Sequence, residues 1–239
     1  MKTIDYNELD IISYNHNSGS FAEIDKCTFN GEIYALKRFT NGKYLNGKRR
    51  KISELSGIND SHLITPKFWV KNEEGKNQYL AKFCDGDPLE FEKNANVVAK
   101  LKHAKNLIEK MHSYKIIHGD LNVSNFLFSG DDPFIIDFDN VSLNNSNVDI
   151  SSLNDYSADY IKRLGINKGL DVYLFNLLTY AILNETDYYR VRSNVLAKKY
   201  GVFDFKDGIK LCNLFSLEKG YSDSDYLIDM ISNEDVKSI

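Results

Sequence analysis

Between Leu9 and Phe83, apolar and polar residues alternate in short runs, the period of half-buried strands. "EIDKCTF" and "EIYALKRF" flank Asn30-Gly31, a pair that favours a tight two-residue hairpin because both residues accept positive φ. "PKFWV" and "QYLAKF" flank the polar "KNEEGKN" and predict a second hairpin. Between the hairpins, "GKRRKISELSGI" carries Ile52 and Leu55 at helical spacing and ends at Gly57, which predicts one short helix. After "CDGDP" the period changes. Val97, Val98, Leu101, Ala104, Leu107, Ile108 and Met111 recur at three- and four-residue intervals, the mark of a long helix with one core-facing side. Leu170 to Leu183 is apolar on nearly every side, which places a helix at the centre of its lobe. The pattern predicts an α+β protein with a small strand-rich N-terminal lobe over residues 1–83, a connection at 84–88, and a larger, mainly helical lobe over 89–239.

Composition narrows the function. A chain of 239 residues with 42% hydrophobic residues can bury a sizeable core as two lobes. A formal net charge of -4 argues against a general nucleic-acid binder, whose affinity comes mainly from phosphate neutralisation by a basic face; Lys43 to Lys51 is the one basic strip. Cys27, Cys84 and Cys212 have no short spacing, which argues against a disulfide framework or a zinc site and for a reducing compartment. The start "MKTIDYNELDII" has no apolar stretch of the secretory kind. Leu170 to Leu183 carries Asp171 and is too short to span about 30 Å of hydrocarbon. A cytoplasmic protein without a membrane span is the expectation.

Three stretches carry candidate chemistry. In "NHNSGSFAEI", the small residues Ser18, Gly19, Ser20 and Ala22 let a backbone turn approach a ligand and aim its N–H groups, as a phosphate cradle requires. In "YALKRF", Lys37 sits among Ala35, Leu36 and Phe39, where an unpaired ammonium is costly and an anionic partner is expected. A phosphate or Glu54, the only acid of the following helix, could serve. In "IIHGDLNVSNFLFSGDDPFIIDFDN", Asp120, Asn125, Asp137 and Asp139 lie beside runs that read as buried strands, and the turn "SGDDP" makes those runs a hairpin with oxygen ligands at its two ends. Hard cations such as Mg2+ prefer one or two carboxylates plus phosphate oxygens, so Asn125 and Asp137 suit a Mg-nucleotide, with Asp120 left to orient a hydroxyl and take its proton.

"HGDLNVSN" followed by "IIDFD" resembles the catalytic loop and metal-binding motif of the protein kinase-like superfamily. The resemblance extends to Asn17, Ser18, Gly19, Ser20, Phe21, Ala22 and Ile24 as the Gly-rich loop, to Ala35–Lys37 as the ATP-binding lysine motif, and to Tyr79–Pro88 as strand and hinge. It implies a bilobal kinase-like fold, with a small antiparallel N-lobe sheet carrying one helix, and ATP and Mg2+ as cofactors. Lys37 would bind the α- and β-phosphates, Glu54 would hold Lys37, Asp120 would be the catalytic base, and Asn125 and Asp137 would hold Mg2+. Backbone groups near Lys82 and Cys84 would receive adenine, and Ala81 would stand near the gatekeeper position. "GLDVYLFNLLTYAILNE" is similar to the central C-lobe helix of protein kinases, with Asp171 where the family braces its catalytic loop.

Departures from the family bear on the acceptor. Asn17 and Ala22 replace glycines of the loop, Gly119 replaces the arginine of His-Arg-Asp that usually reads a phosphorylated activation loop, and Asp139 replaces the glycine of Asp-Phe-Gly. Asp139 is either an extra metal ligand or a solvated or locally hydrogen-bonded carboxylate. Ser157, Ala158 and Asp159 fall where protein kinases have Ala-Pro-Glu. The leading expectation is an ATP-dependent kinase of protein Ser or Thr. A small-molecule or sugar kinase, similar to lipopolysaccharide-core or aminoglycoside kinases, is the alternative, and a pseudokinase binding module the third. His62, His103 and His112 read as surface or packing histidines, and His118 as a support of the catalytic loop.

Overall fold

The structure, a computed structural model, describes residues 1–18, 22–40, 45, 47–71, 78–88, 97–144, 146, 155–185, 187–191 and 226–230. The chain divides into two compact units, one of Met1–Asp85 with Ile136–Asp139, the other of Gly86–Ile135 with Asn140–Ile239. The mixed α+β architecture, with a multi-stranded N-terminal sheet, is that of a bilobal kinase-like fold.

The first unit is built on six strands: β1 (Lys2–Asp5), β2 (Asp10–Ser18), β3 (Ala22–Phe29), β4 (Glu32–Phe39), β5 (Pro66–Lys71) and β6 (Gln78–Lys82), in the order β1-β5-β6-β4-β3-β2. Asn30 and Gly31 turn the β3–β4 hairpin with φ of 51° and 78°, and Phe29 pairs with Glu32 across it, a two-residue loop as expected. The expected antiparallel sheet needs one correction. Strand β1 joins the edge in parallel, Lys2 to Asp5 running alongside Phe68 to Lys71. Only Ile4 of β1 is buried, so a four-residue strand with one inward side chain has no period long enough to read in sequence.

Each face of this sheet carries an apolar cluster. Leu9, Cys27, Phe29, Tyr34, Leu36, Val70 and Leu80 join Ile4 in one apolar cluster. Phe39, Leu45, Ile52, Trp69, Tyr79 and Ala81 form a second with Ala22. Ile52 belongs to helix α1 (Arg49–Leu55), whose buried residues are Ile52 and Leu55; Trp69 Nε1 donates to Ser53 Oγ on the same helix at 2.9 Å.

In the second unit, helix α2 (Val97–Ser113) buries all seven residues of its apolar period and also His112. It packs on strands β8 (Ile116–Ile117) and β10 (Asp132–Ile135) and on helix α4 (Lys168–Leu183). Strand β9 (Phe126–Ser129) lies between β10 and the two-residue β7 (Asp87–Pro88), while β8 pairs with β11 (Ser142–Leu143). Ser129 faces Asp132 across the β9–β10 turn, so the expected "SGDDP" hairpin is present. Helix α3 (Asp155–Leu164) packs on α4, which is buried from Gly169 to Leu183 and therefore has no polar face to show. A short helix α5 (Leu227–Met230) closes on α4, the Leu227 N–H donating to Asn176 Oδ1 at 2.8 Å.

Candidate active site

In the first unit, register decides which candidates share a face. Ala22 lies opposite Phe39, Ile24 opposite Lys37, Ala35 opposite Ala81, and Lys37 opposite Tyr79. Directly paired residues point to the same side of a sheet, so Ala22, Ile24, Ala35, Lys37 and Ala81 line one face together. Asn17 and Ser18 pair with Ile24 and Glu23 at the end of β2, and the rest of the expected Gly-rich turn, Gly19, Ser20 and Phe21, lies outside the described residues. Lys82 pairs with Tyr34 and points to the opposite face, its Nζ 3.6 Å from Glu32. The ladder ends where the Phe83 N–H donates to Ile33 O at 3.2 Å, and Cys84 follows as the half-buried residue before the unit boundary at Asp85.

Lys37 is held by two carboxylates. Its Nζ donates to Asp137 Oδ1 and, at 3.1 Å, to Asp139 Oδ1. Burial opposes the ammonium charge, but Asp137 and Asp139 outweigh it and hold the Lys37 pKa well above the ordinary lysine value. Burial pushes the Asp139 carboxyl up to about 6, with Asp137 adding to the rise and Lys37 opposing it. Asp137 itself adopts φ 69°, in the left-handed region that non-glycine residues seldom occupy and that clusters at functional sites.

The expected partner of Lys37 is corrected. Glu54 sits on the exposed side of α1, where Arg50 Nε donates to its Oε1 at 2.9 Å. Ile52 and Leu55 take the inward side of that seven-residue helix and Ser53 meets Trp69, so Glu54 is left on the solvent side, one turn after Arg50. Asp139 and Asp137, not Glu54, are the carboxylates bonded to Lys37 Nζ.

In the second unit, a dense set of backbone bonds holds the loop that carries Asp120. Asp171, fully buried on α4, accepts the His118 N–H on Oδ2 at 2.9 Å and the Gly119 N–H on Oδ1 at 2.8 Å. His112 Nε2 lies 2.9 Å from the same Oδ2 and, facing an acceptor, is the donor. The Asp120 N–H donates to His118 Nδ1 at 3.3 Å, and its carbonyl accepts from Asn122 Nδ2 at 3.0 Å and Asn125 Nδ2 at 2.8 Å. Further along, Tyr188 Oη donates to Leu121 O at 3.1 Å. Gly119 has φ 77°, a conformation that costs other residues strain, which gives a backbone reason for glycine where protein kinases have arginine.

Sequence reasoning missed two of these residues. His112, read as a surface or packing histidine, follows Ile108 by four residues on the buried face of α2, so helical period alone narrows it to packing, but not to its bond with Asp171. Tyr188 meets a carbonyl 67 residues away, and no local pattern signals that. Ser157 is fully buried within α3, a helix where protein kinases have Ala-Pro-Glu.

Asn125 and Asp137 each present oxygen, the donor type that hard cations take. Asn125 commits its amide N–H to the chain, so its oxygen is the ligating end; Asp137 is a carboxylate with its side chain 40% exposed. Among the described residues no group of three His, Cys, Asp or Glu side chains is arranged to hold a metal. No helix among the described residues is long and apolar enough to cross a membrane.

The lysine clamped by acids lies in the first unit, and the braced His-Gly-Asp loop in the second. Residues 59–164, which include Asp120, Asn125, Asp137 and Asp139, match the model of the phosphotransferase enzyme family (APH), part of the protein kinase-like superfamily. The match indicates a phosphotransferase, kinase-like activity. No curated protein matches the chain.

Proposed function

We propose that this protein transfers the γ-phosphoryl group of Mg-ATP to a hydroxyl of its acceptor. The observation that carries the reading is the suspension of the Asp120 loop: its backbone is held on both sides of Asp120, so the point and direction from which its side chain leaves the chain are set before an acceptor arrives. Asp120 orients the acceptor hydroxyl and takes its proton as the new O–P bond forms and the bond to the ADP oxygen breaks. Lys37 binds the α- and β-phosphates as an ammonium whose charge the neighbouring carboxylates favour, and Ala22, Ile24, Ala35 and Ala81 offer the adenine an apolar sheet face. Backbone groups at Cys84 complete the adenine contact. By the family resemblance Asn125 and Asp137 would hold Mg2+, which would neutralise phosphate charge.

A small-molecule or sugar hydroxyl is the acceptor supported by Gly119, which stands where the phosphate-reading arginine of protein kinases would be and has a backbone angle of φ 77° that is strained for other residues. The likeness of α4 to the central helix of protein kinases supports a second reading, transfer to Ser or Thr of a protein. Incubation with γ-labelled ATP and a panel of sugars, aminoglycosides, lipids and proteins separates the two. Label should move to one acceptor class and be lost in Asp120→Asn. If Mg-ATP is not hydrolysed and does not raise the melting temperature, the enzyme reading fails and a binding module remains.

A further inference from the structure

We propose that Asp139 is the positioning residue of Lys37, doing from the end of the metal-binding motif what a helix-borne glutamate does in protein kinases; this rests on the reading of Lys37 as the phosphate-binding lysine. Two carboxylates hold the ammonium, and they differ in surroundings. The Asp137 side chain is 40% exposed and that of Asp139 is 5% exposed. A metal ion held by Asp137 would share the charge that Asp137 gives to Lys37, and among the described residues the other carboxylate bonded to Nζ is Asp139. Asp139 remains. Its Oδ1 stands 3.1 Å from Nζ, and the one-turn 3-10 helix Phe138–Asn140 that carries it is anchored by Phe138, 1% exposed. The same burial makes Asp139 a poor metal ligand, because a Mg2+ ion keeps several waters that a 3%-exposed residue has no room to meet. Glu54 is engaged by Arg50 on the exposed face of α1.

The test uses Asp139→Asn, near-isosteric and uncharged, beside Glu54→Gln, each checked for folding by circular dichroism. ATP affinity is measured by titration calorimetry at saturating Mg2+, the Mg2+ needed for half-maximal turnover is measured separately, and Lys37 is labelled with an amine-acylating reagent in the absence of nucleotide and read by mass spectrometry. Asp139→Asn should weaken ATP binding about tenfold and speed Lys37 acylation several-fold, as expected when a charge-assisted bond is lost. The Mg2+ requirement should not move, and Glu54→Gln should match wild type in all three measurements. The inference is overturned if Asp139→Asn binds ATP and acylates as wild type does, if the Mg2+ requirement alone shifts, or if Glu54→Gln reproduces the loss. Should Asp139→Asn not fold, a wild-type result for Glu54→Gln still supports the assignment and a loss still overturns it. Wild-type protein that binds no ATP defeats the nucleotide reading instead, and the acylation rates then decide the pairing by themselves.

Discussion

Replacing Asp171 by Asn removes a charge and turns one of two acceptor oxygens into a donor. Oδ2 receives two hydrogens, from His118 N and His112 Nε2, and Oδ1 receives one, from Gly119 N. The less costly amide orientation keeps the oxygen toward the first pair and sets an NH2 against the Gly119 N–H. A buried donor left unsatisfied costs about 1–3 kcal/mol, and the two bonds that survive lose their charge assistance, about 1 kcal/mol each. The sum, about 3–5 kcal/mol, is what breaking a fully buried charged network costs elsewhere and is a large part of a typical stability of about 5–15 kcal/mol. Urea denaturation followed by tryptophan fluorescence and far-UV circular dichroism measures it, and the midpoint should fall by about 1–2 M. Because the Asp120 backbone hangs from the same two N–H groups, phosphoryl transfer measured well below the new midpoint should slow by about a hundredfold, the scale of an ångström-sized misplacement. A stability cost under about 1 kcal/mol would refute the bond count. A full stability cost with unchanged turnover would refute the link from Asp171 to Asp120.

Three smaller perturbations probe neighbouring claims. Tyr188→Phe strands the buried Leu121 carbonyl and should cost about 1–2 kcal/mol in the same denaturation assay, with a drop in kcat and little change in the KM for ATP; an equal rise in KM would count against a role confined to the loop. Gly119→Ala should cost about 1–2 kcal/mol from its φ of 77° alone, because the added Cβ would meet Leu170 Cδ2 at an ordinary 3.6 Å; a neutral result would remove the backbone explanation for this glycine. Burial, with Asp25 adding to it, pushes the Cys27 thiol from 9.0 up to about 11. The unfolded chain therefore loses this proton first as pH rises, so stability should fall between about pH 9 and 11 by up to about 1.4 kcal/mol per pH unit relative to Cys27→Ala. Parallel pH curves for the two proteins would show that the thiol does not titrate this way.

Most of the secondary structure was written in period and turn chemistry. Alternation gave β3 to β6, Asn30-Gly31 gave their hairpin, and three- and four-residue spacing gave α2, because burial of one face imposes those periods whatever the tertiary partner. The strands β1, β7, β8 and β11, of two to four residues, are too short to carry a period and exist because longer elements offer them partners. The types of candidate residue were legible too. A lysine in an apolar strand and carboxylates beside buried runs are costly unless they have partners, so sequence could say that Lys37, Asp137 and Asp171 needed some.

Which partners they have was decided by tertiary structure. Lys37 could take Glu54, 17 residues on, or acids 100 and 102 residues on, and the choice turned on how α1 packs: Ile52 and Leu55 claim the inward face and Glu54 is carried outward to Arg50. His112 and Tyr188 joined the loop supports for the same reason, since side chains distant in the chain meet only where helices pack. Sequence by itself determined which groups are too costly to bury alone. The fold determined which of them neutralise one another, because a pair's energy depends on a distance that no local pattern encodes.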